Sequence, residues 1–270
     1  MRFIPGCCII FIILFCNQTF GQAGMTLSPG KLYFKLPPGA TTTRKIMVSN
    51  PIDKEIEVGV SMSDWDYDLY GNNQTYEPGS LKNSCANWLQ VLPGSYFTLR
   101  PGEQRELDVV LKVPADANTT IPVHTAMVFL TQLNPGDSKT ASGAQIKVSV
   151  RMGVKIYHSF IQNEEKSLEV LNFTDKLDST QKELPGILVL EVENNGKIWL
   201  DSKIKWEMLN MQTGEKKKLE ELEFFTLPGD KRIIQQKLPS DLKKGRYNAT
   251  AIINYGNKDE LKVVELEFVR

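Results

Sequence analysis

The residue types that enzymes use for proton transfer and nucleophilic attack are scarce in this sequence. Histidine occurs only at His124 and His158, and both lie in strand-like or linker segments. The sequence has no HExxH motif, no pair of CxxC motifs, no glycine-rich phosphate loop and no GxSxG motif. A Ser–His–acid triad would have to use one of these two histidines. We therefore expect no catalytic residues and no cofactor, and a protein that acts by binding.

One acidic cluster has the spacing of a cation site. Asp64, Asp66 and Asp68 are two residues apart, which places three carboxylates on one face of a strand. Calcium binds such oxygens, but Leu69 stands where a calcium loop of the EF-hand type has glycine. The alternative is a solvent-exposed strand face opposite a buried aromatic face. We favour the alternative, and we assign no metal ligand.

The start of the chain has the pattern of an export signal. Arg2 precedes an unbroken apolar run from Cys7 to Phe15, and small residues follow at Gly21 and Ala23. The run is too short to span a bilayer, so we predict a signal peptide cleaved after one of these small residues. Its removal leaves Cys85 as the last cysteine, and a single cysteine cannot form an internal disulfide. The mature protein is expected to be periplasmic or secreted.

The overall composition argues against nucleic acid as a partner. Lysine and arginine number 32, and aspartate and glutamate also number 32. Binding to phosphate backbones needs a concentrated positive field, which this balance does not provide. No segment after the signal is apolar over a length that could cross a membrane.

Alternation of apolar and polar residues, punctuated by Pro-Gly and Asn-Gly turns, dominates the remaining chain. In the first half the alternating segments are 45–49, 55–61, 106–113, 125–131 and 145–156. In the second half they are 168–171, 187–193, 204–208, 233–238, 247–255 and 261–268. Short strands at this spacing predict β-sandwiches. Helical periodicity is limited to 215–223, where a charged hairpin explains the pattern equally well.

These patterns predict an all-β protein with two immunoglobulin-like β-sandwich domains in tandem after a signal peptide. The boundary is placed where a long alternating strand ends and a polar run begins, near Tyr157 to Lys166. The predicted limits are 1–23 for the signal peptide, 24–157 for the first sandwich and 158–270 for the second.

The segment 145–156 is the most informative of the alternating segments. Its apolar residues share one face, and it is long for a sandwich strand. A long apolar strand at a sheet edge promotes aggregation unless another strand pairs with it. Two interpretations follow, an ordinary half-buried strand or a strand lent to a partner by strand addition. Periodicity alone favours the ordinary strand.

Four stretches of the first half resemble the periplasmic pilus chaperones of the chaperone–usher pathway, the PapD-like proteins. They are Leu27–Phe34 together with Ile46–Asn50, Val91–Gly102, Pro122–Leu130 and Val148–Tyr157. The resemblance implies an exported, non-catalytic chaperone that binds secreted pilus or surface-fibre subunits by lending an edge strand. It also implies an outer-membrane usher as a second partner.

The resemblance further implies roles for particular residues. Members of this family hold the C-terminal carboxylate of a subunit with two basic residues in the cleft between domains, and Lys31 and Lys155 match these by position. The exposed apolar residues lent to the subunit are matched by Ile146, Val148, Val150 and, as an extension, Met152. Charge-assisted bonds to a carboxylate would fix the register of the added strand.

A different function also fits the sequence. The alternative is a surface or matrix protein whose sandwiches bind glycans or cell-wall polymer. It depends on Trp65, Tyr67 and Tyr70, which would stack on sugar rings if they are exposed beside Asp64.

Overall fold

The computed structural model describes residues 24–139, 143–160, 164–177 and 186–270. The predicted signal peptide lies outside these residues. Within them the chain forms twenty strands and a single 3-10 turn, Ala86–Trp88. Among the described residues, no helix is long and apolar enough to cross a bilayer. The prediction of an all-β protein is confirmed.

The first twelve strands lie between Thr26 and Ser159. They are β1 (Thr26–Ser28), β2 (Lys31–Lys35), β3 (Thr41–Ser49), β4 (Ile56–Tyr67), β5 (Asn73–Tyr76), β6 (Leu89–Leu92), β7 (Tyr96–Leu99), β8 (Gln104–Lys112), β9 (Val123–Gln132), β10 (Gly136–Lys139), β11 (Gln145–Val148) and β12 (Arg151–Ser159). Two packed sheets and one hairpin account for all of them.

The two sheets of the first sandwich enclose one apolar core. The back sheet has the order β1-β3-β8-β6, and the front sheet has the order β2-β12-β9-β4-β5, with β7 also on β4. Along β8 every second side chain, Leu107, Val109 and Leu111, is fully buried, as the two-residue period of a strand requires. The front sheet contributes Val154 and Ile156 from β12 to the same core.

The predicted single strand over 145–156 is divided in the structure. β11 and β12 are separated by Ser149 and Val150, and β11 pairs with β10 in a separate two-stranded hairpin. At the break, the Gln132 backbone N–H donates to the Val150 carbonyl at 2.8 Å, and the Ser149 hydroxyl donates to the Gln132 carbonyl at 2.5 Å. Because these bonds satisfy the backbone where the chain leaves the sheet, β11 turns away from β9.

The last eight strands form the second sandwich. They are β13 (Leu168–Lys176), β14 (Ile187–Asn194), β15 (Leu200–Asn210), β16 (Lys216–Lys218), β17 (Leu222–Thr226), β18 (Lys231–Lys237), β19 (Arg246–Asn254) and β20 (Lys262–Val269). One sheet has the order β13-β14-β18, and the other has the order β16-β15-β19-β20, with β17 also on β15. Two sandwiches in tandem were predicted, and the structure confirms them.

Strand β15 shows why the second sandwich forms. Leu200, Ser202, Ile204, Trp206 and Met208 are buried, and the residues between them are exposed. Such strict alternation buries one face of a strand and leaves the other in water. The charged segment 215–223 contributes β16 and the start of β17, so the hairpin interpretation of that segment is correct.

No strand of the first sandwich pairs with a strand of the second among the described residues. The chain passes from one to the other between Ser159 and Leu168. The domain limits at 157 and 158 stay a prediction, although the crossing lies in the region where the polar run was expected to mark the boundary.

Candidate binding site

Aromatic side chains fill the space between the two sandwiches. Tyr33 of β2 stacks on Tyr157 of β12 and on Trp199 just before β15, with ring centroids 5.0 and 5.1 Å apart. Trp65 of β4 meets Tyr157 edge-on at 5.3 Å and is completely buried. Leu227 belongs to the same cluster. The two sandwiches therefore share an apolar contact that holds the front sheet against the second domain.

Two lysines lie side by side on the front sheet at the border of this cluster. Lys31 of β2 and Lys155 of β12 are register partners in a parallel strand pair. The Lys155 backbone N–H donates to the Gly30 carbonyl at 3.0 Å. Register partners on neighbouring strands direct their side chains to the same face of a sheet. The structure thus brings together two residues that the resemblance singled out and that are far apart in sequence.

Lys31 already has a weak counterion. Its Nζ lies 3.3 Å from Oδ1 of Asp201 in the second sandwich and 3.5 Å from the centroid of the Phe225 ring. The Asp201 side chain is half exposed, and ion pairs of this kind contribute little because water competes for both charges. An incoming anion could therefore replace Asp201 at modest cost.

Lys155 has no carboxylate partner among the described residues. Its Nζ donates to the Tyr67 hydroxyl at 3.0 Å and lies 4.4 Å from the centroid of the Trp65 ring. Burial, together with the positive charges of Lys31 and Arg232, lowers the pKa of Lys155 to about 8. A partly buried cation that rests on aromatic rings and lacks a counterion favours the binding of an anion.

A third cation, Arg232 of β18, joins the two sandwiches behind the lysines. It is 2% exposed, and its guanidinium donates to the Asp68 carbonyl of the first sandwich and to the Phe225 carbonyl at 2.8 Å. The Arg232 guanidinium also lies 3.5 Å from the Asp230 carboxylate and 4.8 Å from the centre of the Tyr67 ring. Burial raises the pKa of Asp230 to about 6. The local sequence around Arg232 reads as an ordinary strand, so sequence reasoning did not find it.

The turn between β4 and β5 docks on the second sandwich at the same place. The Ile233 backbone N–H donates to the Leu69 carbonyl at 2.8 Å. Within the turn, Asp68 accepts bonds from the backbone of Tyr70 and Asn72, each at 2.9 Å. This contact holds Tyr67, at the end of β4, over the Lys155 ammonium.

A groove opens beside the lysines on the front sheet. Its volume is ≈ 470 Å³, and both lysines lie on its rim. Met127 and Phe129 of β9, together with Gly153 of β12, line the apolar floor. The hairpin strand β5 supplies a more polar wall.

Part of β12 has a free edge next to this groove. β2 pairs with β12 only from Lys155 onward, and over Arg151–Val154 the described residues provide a neighbour, β9, on one side alone. Alternate residues of a strand direct their backbone groups to the same side. Because Lys155 bonds toward β2, Gly153 and Arg151 turn their N–H and C=O groups toward the vacant side. We call Arg151–Val154 the open edge.

The four residues matched to a lent strand differ in exposure. Ile146 and Val148 on β11 are 41% and 45% exposed. Val150 and Met152 are half-buried and pack against the core of the first sandwich. The expected exposure is therefore wrong for these two, because β12 rejoins the sheet at Arg151 and draws its neighbours inward.

The three aspartates of the acidic cluster have separate roles. Asp64 is buried and accepts bonds from the Leu81 backbone at 2.8 Å and the Ser84 hydroxyl at 2.5 Å. Asp66 accepts a bond from the Tyr76 hydroxyl at 3.1 Å, and Asp68 closes the β4–β5 turn. The part of the chain that the structure describes contains no group of three or more His, Cys, Asp or Glu residues able to hold a metal.

The aromatic residues of the glycan alternative do not form an exposed platform. Trp65 is fully buried, and Tyr67 is half-buried beneath the Lys155 and Arg232 cations. Tyr70 alone is exposed, at 60%. The exposure of Trp65 that this alternative required is wrong, since the ring is packed against Tyr157 in the cluster between the sandwiches and bonded to the Ala126 carbonyl.

Both histidines and the last cysteine belong to the interior of the first sandwich. His124 and His158 are buried, with their Nδ1 atoms 3.4 Å apart, and both pack against Trp88. Burial lowers the pKa of both imidazoles, that of His124 to about 4. Burial also raises the pKa of the Cys85 thiol far above its usual value. These side chains are packed as neutral core groups.

Comparison with known proteins gives similarity at the level of solved structures. No family model matches the sequence, and no curated protein matches it. The chain is similar to the class 5 fimbriae chaperone CfaA, with 11% identity and a TM-score of 0.47 over 91% of this chain and 99% of that one.

Two solved complexes show comparable similarity. The CsuC-CsuE chaperone-tip adhesion subunit pre-assembly complex, from the archaic chaperone-usher Csu pili of Acinetobacter baumannii, shares 11% identity and a TM-score of 0.48 over 90% of this chain and 98% of that one. The Salmonella enterica SafA pilin in complex with the SafB chaperone shares 15% identity and a TM-score of 0.43 over 90% and 96%. At these identities, the functional residues have to be argued from this chain's own geometry.

Proposed function

We propose that this chain is an exported, non-catalytic chaperone that binds secreted pilus or surface-fibre subunits by strand addition. The open edge of β12 and the adjoining β11 are the lent strand, and Lys31 and Lys155 hold the C-terminal carboxylate of the subunit. The observation that carries the proposal is the position of Lys155. It is a partly buried cation without a carboxylate of its own, located beside a second lysine and at the end of a free strand edge.

The position of β2 supports one direction for the added strand. β2 runs parallel to β12 and occupies the position beside it from Gly30 onward. A strand placed beside the open edge and running parallel to β12 would end with its C-terminus against Gly30, next to both ammonium groups. A strand running the other way would bring its N-terminal cation there. Charge complementarity therefore favours a chain end that carries a free carboxylate.

The exposed apolar residues supply the rest of the contact. Ile146 and Val148 lie on β11, immediately before the open edge in sequence. Each would contribute about 1.5–3 kcal/mol of gross transfer free energy if it were fully buried in a subunit. Ordering of both partners reduces the net gain. An incomplete subunit that lacks a strand would cover this apolar surface.

The remaining side chains support a binding function without chemistry. The two histidines are buried as neutral groups, and the Cys85 thiol is buried with a raised pKa. The proposed location is the periplasm or the secreted fraction, as the export signal predicts. An outer-membrane usher is proposed as the second partner. The proposed domain limits remain 24–157 and 158–270.

Affinity purification of the tagged chain from its own host tests the proposal. We expect a secreted protein to co-purify with the wild type and to be lost from Val148→Asp and from the double variant Lys31→Ala, Lys155→Ala. Lys45→Ala is the matched control, because Lys45 is an exposed lysine on the back sheet, away from the cleft. The captured protein should also stop binding when its last residues are removed.

Two outcomes would count against the proposal. In one, the co-purifying protein binds the double lysine variant as strongly as the wild type. In the other, no secreted protein co-purifies and the chain instead binds polysaccharide in a pull-down with purified cell-wall polymer, which would favour the glycan alternative.

A further inference from the structure

We propose that the groove beside the lysines is a subsite for the side chain of the client's C-terminal residue and that it selects an apolar residue there. This inference rests on the proposed function and adds a specificity to it. Lys31 and Lys155 would bind the free carboxylate at the end of the client chain. The groove floor would contact the side chain of the last client residue and so select its type.

The position of the last client residue follows from the strand register. Lys155 bonds to the Gly30 carbonyl, so the chain itself occupies the position beside β12 from Gly30 onward. Gly30 lies level with Val154, one step before the pairing of Lys31 with Lys155. A client strand beside the open edge must therefore stop level with Gly153, and that residue carries the free carboxylate.

The direction of its side chain follows from strand periodicity. Gly153 is two residues before Lys155, so both positions face the cleft. A client residue level with Gly153 directs its side chain to that same face, which is the face where the groove opens. Its carboxylate continues toward the lysines, because they stand at the next position along the same face.

The absence of a side chain at Gly153 lets Met127 and Phe129 form an apolar groove floor. A Cβ atom at this position would lie 2.7 Å from Sδ of Met127 and 3.1 Å from a ring carbon of Phe129. Both side chains therefore lie across the backbone of β12 where any other residue would project. The Arg151 guanidinium lies over one of these two side chains, 3.7 Å from the centre of the Phe129 ring. A leucine or phenylalanine side chain placed here would contact carbon and sulfur atoms.

The surrounding charges reject a basic residue. Lys31 and Lys155 line the groove, and the Arg151 guanidinium lies over the Phe129 ring of its floor. A lysine at the end of the client would meet all three, and a serine would gain no apolar contact. The groove thus favours clients that combine an apolar C-terminal side chain with a free carboxylate.

Synthetic peptides test the subsite on the full chain. The probes are fluorescent ten-residue peptides of alternating threonine and valine that end in Leu, Phe, Ser or Lys, each as the free acid and as the amide. Fluorescence anisotropy should show the Leu and Phe acids binding about tenfold more tightly than the Ser acid. The Lys acid should bind more weakly than the Ser acid, and every amide should bind more weakly than its acid.

Two variants locate the preference. Gly153→Leu would push the Met127 and Phe129 side chains into the groove and fill it from the protein side, so the ratio of Leu-acid to Ser-acid affinity should fall toward one. Met127→Ala enlarges the groove, so the Phe acid should gain relative to the Leu acid. A thermal melt of each variant confirms that it is folded. Loss of the Leu-over-Ser preference in one variant, together with a gain for Phe over Leu in the other, separates an effect on the subsite from general damage.

The outcomes distinguish the subsite from the proposed function. If acids and amides bind equally, carboxylate recognition fails and the proposed function fails with it. If acids bind better than amides but Leu, Phe and Ser acids bind equally, the proposed function stands and the subsite is wrong. Unchanged discrimination in both Gly153→Leu and Met127→Ala would also overturn the subsite.

Discussion

Lys31 and Lys155 are register partners on neighbouring strands, but only Lys31 has a carboxylate beside it among the described residues. Lys31 lies 3.3 Å from a half-exposed carboxylate, whereas Lys155 lies 3.0 Å from a tyrosine hydroxyl and has no carboxylate among the described residues. The positive charge of Lys31 contributes to lowering the pKa of Lys155, and a bound anion would oppose this effect. In the proposed function, the pair supplies two charges of a three-charge site, and the third is an anion from another molecule.

The first prediction concerns the pH dependence of client binding. The pKa of Lys155 is lowered to about 8, so the residue is charged below that pH and loses its proton above it. A carboxylate binds the charged form better, so the affinity for the Leu-ended acid peptide should be constant below about pH 7 and should fall as the pH rises through 8. Anisotropy titrations between pH 6 and 9.5 measure this decline.

Lys155→Arg provides the control for this decline. Arginine stays protonated across the whole range, so this variant should bind the peptide with little change between pH 7 and 9. An equally steep loss of affinity in Lys155→Arg would show that another group is responsible.

The second prediction compares Val148→Asp with Val150→Asp. Val148 is exposed on β11, whereas Val150 packs against the core of the first sandwich. We expect Val148→Asp to change the free energy of unfolding by less than about 0.5 kcal/mol. Val150→Asp should lower it by about 1–3 kcal/mol, because the carboxylate replaces core contacts. Urea denaturation measures both, and equal losses of stability would contradict the division between β11 and β12.

The third prediction concerns the buried arginine between the sandwiches. Arg232→Ala removes the donors to the Asp68 and Phe225 carbonyls, leaving both without these bonds. We expect a loss of about 1–3 kcal/mol in the free energy of unfolding, with the melting temperature lowered accordingly. The exposed neighbour Lys231 is the control, and Lys231→Ala should stay within about 0.5 kcal/mol of the wild type. Equal effects of the two changes would show that Arg232 does not hold the β4–β5 turn.

The fourth prediction concerns stability in acid. The pKa of His124 is about 4 in the folded protein against 6.5 in the unfolded chain. Between these values the unfolded chain binds a proton that the folded chain excludes, so stability should decrease as the pH falls from 6.5 to 4. His124→Phe keeps an aromatic ring against Trp88 and Phe160 and should decrease less steeply. Thermal melts across this range measure both slopes, and identical slopes would remove His124 as a cause.

Much of the fold could be predicted from the sequence because its signal is local. The two-residue alternation along β8 and β15 reports directly which face is buried. The break at Ser149 and Val150 could not be predicted in this way. The alternation of apolar residues continues through both residues, and the hydrogen bonds that divide the strand come from Gln132, which is distant in sequence.

The site was predictable only in part for the same reason. The resemblance to a family pointed to Lys31 and Lys155. The counterion of Lys31 and the aromatic rings against Lys155 come from other strands, so the sequence did not indicate them. Arg232 donates across the domain contact to a backbone carbonyl. Every residue has such a carbonyl, so the sequence gives no sign of which residue Arg232 contacts. The alternation of Trp65 and Tyr67 with aspartates favoured a buried aromatic face, and both rings do lie in the cluster between the sandwiches. The alternation did not indicate that Asp64 is buried as well.

The short length of the open edge also affects whether copies of this protein associate with one another. An unpaired strand edge is a template for pairing with an identical edge, and long apolar edges lead to aggregation. Here β2 closes the edge after Val154, and the remaining stretch is bordered by Arg151, Lys155 and Lys31. Two copies that approached edge to edge would bring these three cations against the same three. Self-association is therefore opposed by the same charges that are proposed to hold a carboxylate, which would keep the edge available to a different chain.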